Sequence, residues 1–255
     1  MFTNLKEGTL VEWNEWISKK KHAFYDFKNE SSDETVVNET DAVKKFLRYR
    51  LSPEGKSTDC DRTALALAAY EKLWQLDPKH PLFEPDTMNS FRRIYRLCLR
   101  AYDAAYWDEA GKLTDVERLQ WLLSDDVFTH YAEINLHPTV QKFAALTHSI
   151  GNFTVVPKGF NMRRNASLHD YWDVTMAYFE AFLGKKGFQL FVQKYTYEAY
   201  VKKDGFTPKT YWKEHTLHTV GLPQHKTVPD ILRIIDKMND AIEQRGKQLM
   251  KQLRK

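Results

Sequence analysis

The sequence predicts a mainly α-helical protein, an irregular multi-helix bundle with a short β element near residues 152–156. Apolar residues recur at spacings of three and four along most of the chain, as on the buried face of an α-helix. Clusters of Pro, Gly, Ser and Asp separate these stretches and favour turns. No fixed-period repeat joins the stretches, which disfavours a solenoid. We therefore expect a single mainly helical domain over residues 1–255, with a possible sub-division near 138–150.

The predicted helices of the N-terminal half begin at polar capping residues and end at turn signals. They are expected from Thr9 with apolar residues up to Phe27, from about Thr40 to before Ser52, from about Asp59 to Leu76, and from Asp86 through Trp107. The stretch from Asp77 to Pro85 holds three prolines and is predicted to be a connector, because proline cannot continue a helix.

The predicted helices of the C-terminal half follow the same rules. They are expected from Thr114, from Asp125 to Ile134, from Thr139 to His148, from Ser167 to Gly184, from Phe188 to Val201, and from Thr227 onward. The last of these has one apolar stripe, and beyond Glu243 its charged residues are all basic. Basic residues at this end complement the helix dipole, although a polyanion could also use them.

Composition is typical of a globular protein that does not cross a membrane. The chain is 42% hydrophobic and 14% aromatic, which is enough apolar material for a sizeable core. No stretch approaches the roughly 20 apolar residues that cross a bilayer, and the N-terminus does not resemble a secretory signal. Cys60 and Cys98 lie among aliphatic residues and are expected to be buried thiols. We expect a cytoplasmic protein with no membrane partner.

Several enzyme classes are disfavoured because their motifs are absent from the sequence. The chain contains no G-x-x-x-x-G-K-[ST], G-x-G-x-x-G, H-E-x-x-H, C-x-x-C or G-x-S-x-G pattern. Nucleotide hydrolysis, dinucleotide redox chemistry, zinc proteolysis and esterase activity are therefore not expected. The net charge of +4 is small for 255 residues, so it neither demands nor excludes a polyanionic partner.

Four arginines are predicted to share the outer face of the helix that starts at Asp86. They are Arg92, Arg93, Arg96 and Arg100. A solvated face paired with acids is the more common arrangement of such residues, and a track for phosphate groups is the alternative.

The segment from His148 to Asp173 is the main candidate for a functional site. Asn152–Val156 has the character of a short strand, a Pro-Lys-Gly turn follows, and a new helix is expected near Ser167. No acidic residue lies between His148 and His169, so the segment is predicted to offer amides and guanidiniums to a phosphate. The candidate nucleic-acid contacts are Asn152, Lys158, Asn161, Arg163 and Arg164.

Each of these side chains also has a purely structural interpretation. Gly151 and Asn152 are typical of turns, because both tolerate positive φ. Asn161 and Asn165 are suited to bonding loop backbone. The two arginines can pair with surface acids, and His148 can be a partly buried residue with satisfied hydrogen bonds.

The stretch IGNFTVVPKGFNMRR followed by DYWDVTMAYFEAF resembles an uncharacterised family of bacterial and phage-borne proteins. The family signature is I-G-N-F, P-x-G-F-N, R and D-Y-W-D. More distantly, Gly151-Asn152, Asn161 and Asn165 resemble the second half of the His-Me finger (HNH) nuclease domain of GmrSD-type restriction enzymes. In that family a strand, loop and helix hold a divalent metal against a scissile phosphate, and a histidine acts as general base.

The nuclease resemblance implies roles for four residues, and it has clear departures. His148 or His137 would be the catalytic base, and Asn165 and His169 would help to hold Mg²⁺. The chain lacks the upstream D-H-I-x-P-type motif of that family, and Asp173 stands where the family has lysine. A degenerate segment of this kind would bind nucleic acid without cleaving it.

These residues leave three functions open. The first is binding of DNA or RNA through the HNH-like segment, flanked by the arginine-rich helix and the basic last helix. The second is an active metal-dependent endonuclease with Mg²⁺ as cofactor. The third is a protein-interaction module for a phage or host protein, in phage–host conflict, with the segment as a structural hub.

Overall fold

The computed structural model describes residues 41–53, 55, 60–76, 83–157, 172–209 and 226–255. Within these residues the protein is mainly α-helical, as predicted, and carries a two-stranded antiparallel sheet. The elements in chain order are α1 (Ala42–Leu51), a 3₁₀-helix (Cys60–Arg62), α2 (Ala64–Trp74), β1 (Phe83–Thr87), α3 (Phe91–Tyr102), α4 (Ala104–Glu109), a 3₁₀-helix (Ala110–Lys112), α5 (Asp115–Leu123), α6 (Asp125–His130), α7 (Ala132–Asn135), α8 (Pro138–Leu146), β2 (Phe153–Pro157), α9 (Trp172–Lys194), a 3₁₀-helix (Glu198–Tyr200) and α10 (Val228–Leu253).

Local capping signals place the starts of two helices where the sequence predicts them. The Thr114 hydroxyl accepts from the Glu117 backbone N–H at 3.3 Å, and the Glu117 carboxylate accepts from the Thr114 N–H at 2.8 Å, which is a capping box at α5. Thr227 and Asp230 make the same reciprocal bonds at α10. Both helices therefore begin at a side chain that satisfies otherwise unpaired N–H groups.

The predicted strand is present as β2, but its partner strand was not predicted. β1 pairs antiparallel with β2, with Asp86 opposite Thr154. The expected helix start at Asp86 is therefore wrong, and α3 begins at Phe91. Residues 83–85 of the expected connector lie in β1, and residues 77–82 lie outside the described residues. The reason is non-local, because β1 gains its hydrogen-bonding partner from a strand about 70 residues later in the chain.

Other predicted helices are divided by capping side chains. The predicted helix from Asp59 becomes a short 3₁₀-helix and then α2, which Thr63 caps through the Ala66 N–H at 3.3 Å. The predicted helix through Trp107 breaks at Asp103, whose carboxylate accepts from the Tyr106 N–H at 3.0 Å and starts α4.

Gly184 interrupts α9 with a φ of 69°, which agrees with the helix end predicted there. The second half of α9 ends at Lys194, earlier than the predicted end at Val201. The predicted helix start at Ser167 and the predicted helix from Thr9 lie outside the described residues.

The core is a continuous cluster of buried hydrophobic residues to which α10 contributes a long stripe. This stripe was predicted, and its buried members are Ile231, Ile234, Ile235, Met238, Ile242 and Leu249. Cys60 and Cys98 are buried thiols, as predicted. Among the described helices, none has the length and apolar character to cross a lipid bilayer.

Arg245 belongs to the basic end predicted for α10, but it lies within this stripe and is 0% exposed, so a polyanion cannot reach it. Its guanidinium donates to backbone carbonyls of Gly151 at 2.9 Å, Thr196 at 3.1 Å and Tyr195 at 3.1 Å. It also donates to the carbonyl of Phe153. One side chain of α10 therefore joins the turn before β2 to the turn after α9.

Candidate functional site

A cavity of about 410 Å³ opens at the N-terminal end of α3. Among the described residues, four arginines line it: Arg50, Arg92, Arg93 and Arg96. Three aspartates and His148 share the lining with them.

The arginines of α3 reach the cavity because the other face of the helix is fixed in the core. Phe91, Ile94 and Cys98 are buried on that face, and Arg92 and Arg96 follow one another at i,i+4 on the cavity side. Ser90, at the N-cap of α3, also lines the cavity. Within the described ranges its side chain makes no capping hydrogen bond. The first-turn N–H groups of a helix have no intrahelical partner and attract anions.

Two of the arginines differ in how their charge is compensated. Arg92 forms an ion pair with Asp115, whose side chain is 67% exposed at the start of α5. Arg96 has its guanidinium 5.6 Å from the ring centroid of Trp107, and among the residues that the structure describes it forms no hydrogen bond or ion pair. Burial first, and then the guanidiniums of Arg118 and Arg92, lower the pKa of Arg96 below its usual value. An anion in the cavity would relieve this repulsion.

Of the two candidate catalytic bases, His148 and His137, it is His148 that lines this cavity. Its side chain is 8% exposed and stacks against Phe46 at a centroid distance of 5.5 Å. His137 instead precedes α8, where its Nδ1 accepts from the Thr139 N–H at 3.2 Å. The two histidines lie at opposite ends of α8, roughly 15 Å apart along the helix. The structure therefore does not bring them together, and His137 has a helix-capping role that the sequence did not predict.

Asn152 is 0% exposed, and its side chain is fully used inside the protein. Its Oδ1 accepts from the backbone N–H of Asn89 at 3.1 Å and from the Asn89 side chain at 3.0 Å. Its Nδ2 donates to the carbonyls of Asn89 at 2.9 Å and Thr147 at 2.7 Å. Contrary to the prediction, the Asn152 side chain is directed into the protein interior and is not accessible to nucleic acid. It joins the link between β1 and α3 to the end of α8, and so holds two walls of the cavity together.

The remaining predicted site residues lie outside the described residues. They are Lys158, Asn161, Arg163, Arg164, Asn165 and His169. Their predicted roles therefore stay predictions. Within the described chain, no group of three or more His, Cys, Asp and Glu side chains is placed to hold a metal ion.

Sequence reasoning identified the arginines of α3 but not the cavity around them. Arg50 belongs to α1, Asp61 to the first 3₁₀-helix and Asp86 to β1. The sequence did not predict β1 and placed Asp86 at the start of a helix. A run of arginines at helical spacing was the only local signal. The convergence of these elements depends on packing between distant parts of the chain, which periodicity does not encode.

No family model, no curated protein and no solved structure matches this chain. The resemblances seen in the sequence are therefore neither supported nor opposed by these comparisons.

Proposed function

We propose that this protein binds nucleic acid and that the arginine cavity receives a phosphate group. The observation that supports this most directly is Arg96, a half-buried guanidinium in the cavity that forms no hydrogen bond or ion pair with the described residues. Arginine forms bidentate, charge-assisted hydrogen bonds with phosphate, and phosphate contacts provide most of the affinity of sequence-independent nucleic-acid binding.

The balance of charge in the cavity also favours an anion. Four arginines and three aspartates line it, which gives a formal charge of +1 before His148 is counted. One of the carboxylates, Asp115, is exposed and paired with Arg92, so it can turn away and leave that guanidinium to a ligand. The first turn of α3 adds its partial positive charge.

The metal-dependent endonuclease has less support from the described residues. His148 lines the same cavity as the arginines, which is the position that a general base would need. The described part of the chain offers no cluster of side chains for Mg²⁺. Binding is the function proposed, because the arginines that support it are among the described residues.

Arg96→Gln is expected to weaken binding to single-stranded DNA or RNA that carries phosphorylated ends about tenfold, because a phosphate loses a charge-assisted bond. The slope of log K against log salt concentration should also become less negative by about 0.7, the contribution of one phosphate contact on a single strand. Fluorescence anisotropy at several salt concentrations measures both quantities.

The matched control is Arg100→Gln, one helical turn further along α3. Arg100 is exposed, its Nε lies 3.7 Å from the Asp108 carboxylate, and it does not line the cavity. Its affinity should stay within about twofold of the wild type. Equal losses for the two variants, or wild-type binding that does not respond to salt, would contradict the proposal.

Asp115→Asn is expected to tighten binding about threefold, since it removes the carboxylate that competes with a phosphate for Arg92. The same anisotropy measurement checks this, together with thermal unfolding, because Asp115 also lies in the first turn of α5. Weaker binding by a variant of unchanged stability would show that Asp115 itself contacts the ligand.

A further inference from the structure

The arginine cavity has a floor made of core residues. Phe46, Cys60 and Phe91 line the cavity and are each less than 5% exposed. Asp115, in contrast, lies at the solvent-exposed side of the lining. The volume of about 410 Å³ is near the lower end of the range for small-molecule pockets. A ligand that enters this cavity from the solvent therefore meets core side chains at its floor.

A pocket with a floor discriminates between the two kinds of phosphate in a nucleic acid. A phosphodiester within a strand has a nucleotide on each side, so it reaches the floor only if both neighbours also enter. A terminal phosphate monoester has a nucleotide on one side. It also carries a charge of about −1.5 to −2 at neutral pH and three acceptor oxygens.

The arginine cavity matches the monoester better than the diester. Arg92, Arg93 and Arg96 project from less than two turns of one helix, and Arg50 lines the cavity from α1. Several guanidinium groups around one cavity can share the three oxygens of one phosphate. A track for an internal strand would instead be an open groove that follows several successive phosphates.

We propose that the cavity takes the terminal phosphate of a nucleic-acid strand, so that the protein recognises strand ends. This inference rests on the proposed function and specifies which phosphate enters. The general affinity for a strand then comes from contacts outside the cavity, and the cavity contributes the preference for a phosphorylated end.

The test compares four forms of one oligonucleotide on the full-length protein. They carry a 5′-phosphate, a 3′-phosphate, hydroxyls at both ends, or no ends because the strand is circular. One phosphorylated form should bind about tenfold or more tightly than the hydroxyl form, and the circle should compete no better than the hydroxyl form. Arg96→Gln should bring the ratio of the phosphorylated to the hydroxyl affinity close to one, whereas Arg100→Gln should keep the ratio of the wild type.

The failures of the two proposals give different results. Equal affinities for all four strands would overturn end recognition and leave nucleic-acid binding in place. No salt-dependent binding of any strand would overturn the proposed function. A nucleoside monophosphate that binds as tightly as the phosphorylated strand would also contradict a strand as the ligand. Circular dichroism of the variants shows whether each is folded.

Discussion

Replacing Arg245 by Leu is expected to lower the free energy of unfolding by about 3–5 kcal/mol. The guanidinium is 0% exposed and donates to carbonyls from two separate turns, including those of Gly151 and Thr196. Removing it leaves these acceptors buried without partners, which costs about 1–3 kcal/mol for each group. The positively charged group also lies 4.4 Å from the ring centroid of Tyr197, and this attraction is lost as well.

Chemical denaturation followed by far-ultraviolet circular dichroism measures the loss. Lys251→Leu is the control, because Lys251 lies on the same helix and is exposed. This substitution should change the free energy of unfolding by less than about 0.5 kcal/mol. A change for Arg245→Leu no larger than that of the control would show that the two turns do not depend on the buried guanidinium.

Gly151→Ala is expected to lower the free energy of unfolding by about 2–3 kcal/mol, because α10 packs against the backbone at this position. A Cβ on Gly151 would lie 3.0 Å from the Gly246 nitrogen and closer still to the Ile242 carbonyl oxygen. Both atoms belong to the backbone of α10, so no side chain can turn aside to make room.

Gly111→Ala is the matched control for this prediction, since a Cβ there would meet no atom within 4 Å. Its free energy of unfolding should equal that of the wild type within about 0.5 kcal/mol or rise slightly. If both variants unfold at the same denaturant concentration, the close approach between Gly151 and α10 does not constrain the fold.

The sequence suggested that Gly151 and Asn152 form a turn with positive φ. The contacts in the structure give this pair a different explanation. Gly151 is not among the described glycines with positive φ, which are Gly184 and Gly205. Its lack of a side chain serves the close approach to α10, and Asn152 joins the walls of the cavity. Of the residues in the HNH-like pattern, the structure describes Gly151 and Asn152. Both stabilise the fold around the candidate site.

The sequence predicted some of the residues at the candidate site but not the cavity at which they converge. His148 and the arginines of α3 were identified, and they meet at the cavity. Asn152 was predicted to contact nucleic acid. An asparagine after a glycine can either contact a ligand or bond the protein's own backbone, and the sequence does not distinguish the two. The choice between them depends on Asn89, 63 residues earlier in the chain, which takes up its hydrogen bonds.

The sequence by itself determined the helical class, the capped starts at Thr114 and Thr227, and the buried stripe of α10. These features depend on interactions between residues three or four positions apart, so they are visible in any short window of the chain. Only the tertiary structure decided the pairing of β1 with β2, the burial of Arg245 and the cavity at α3. Each of these joins residues far apart in the chain, and it is stable only when several elements have packed against one another.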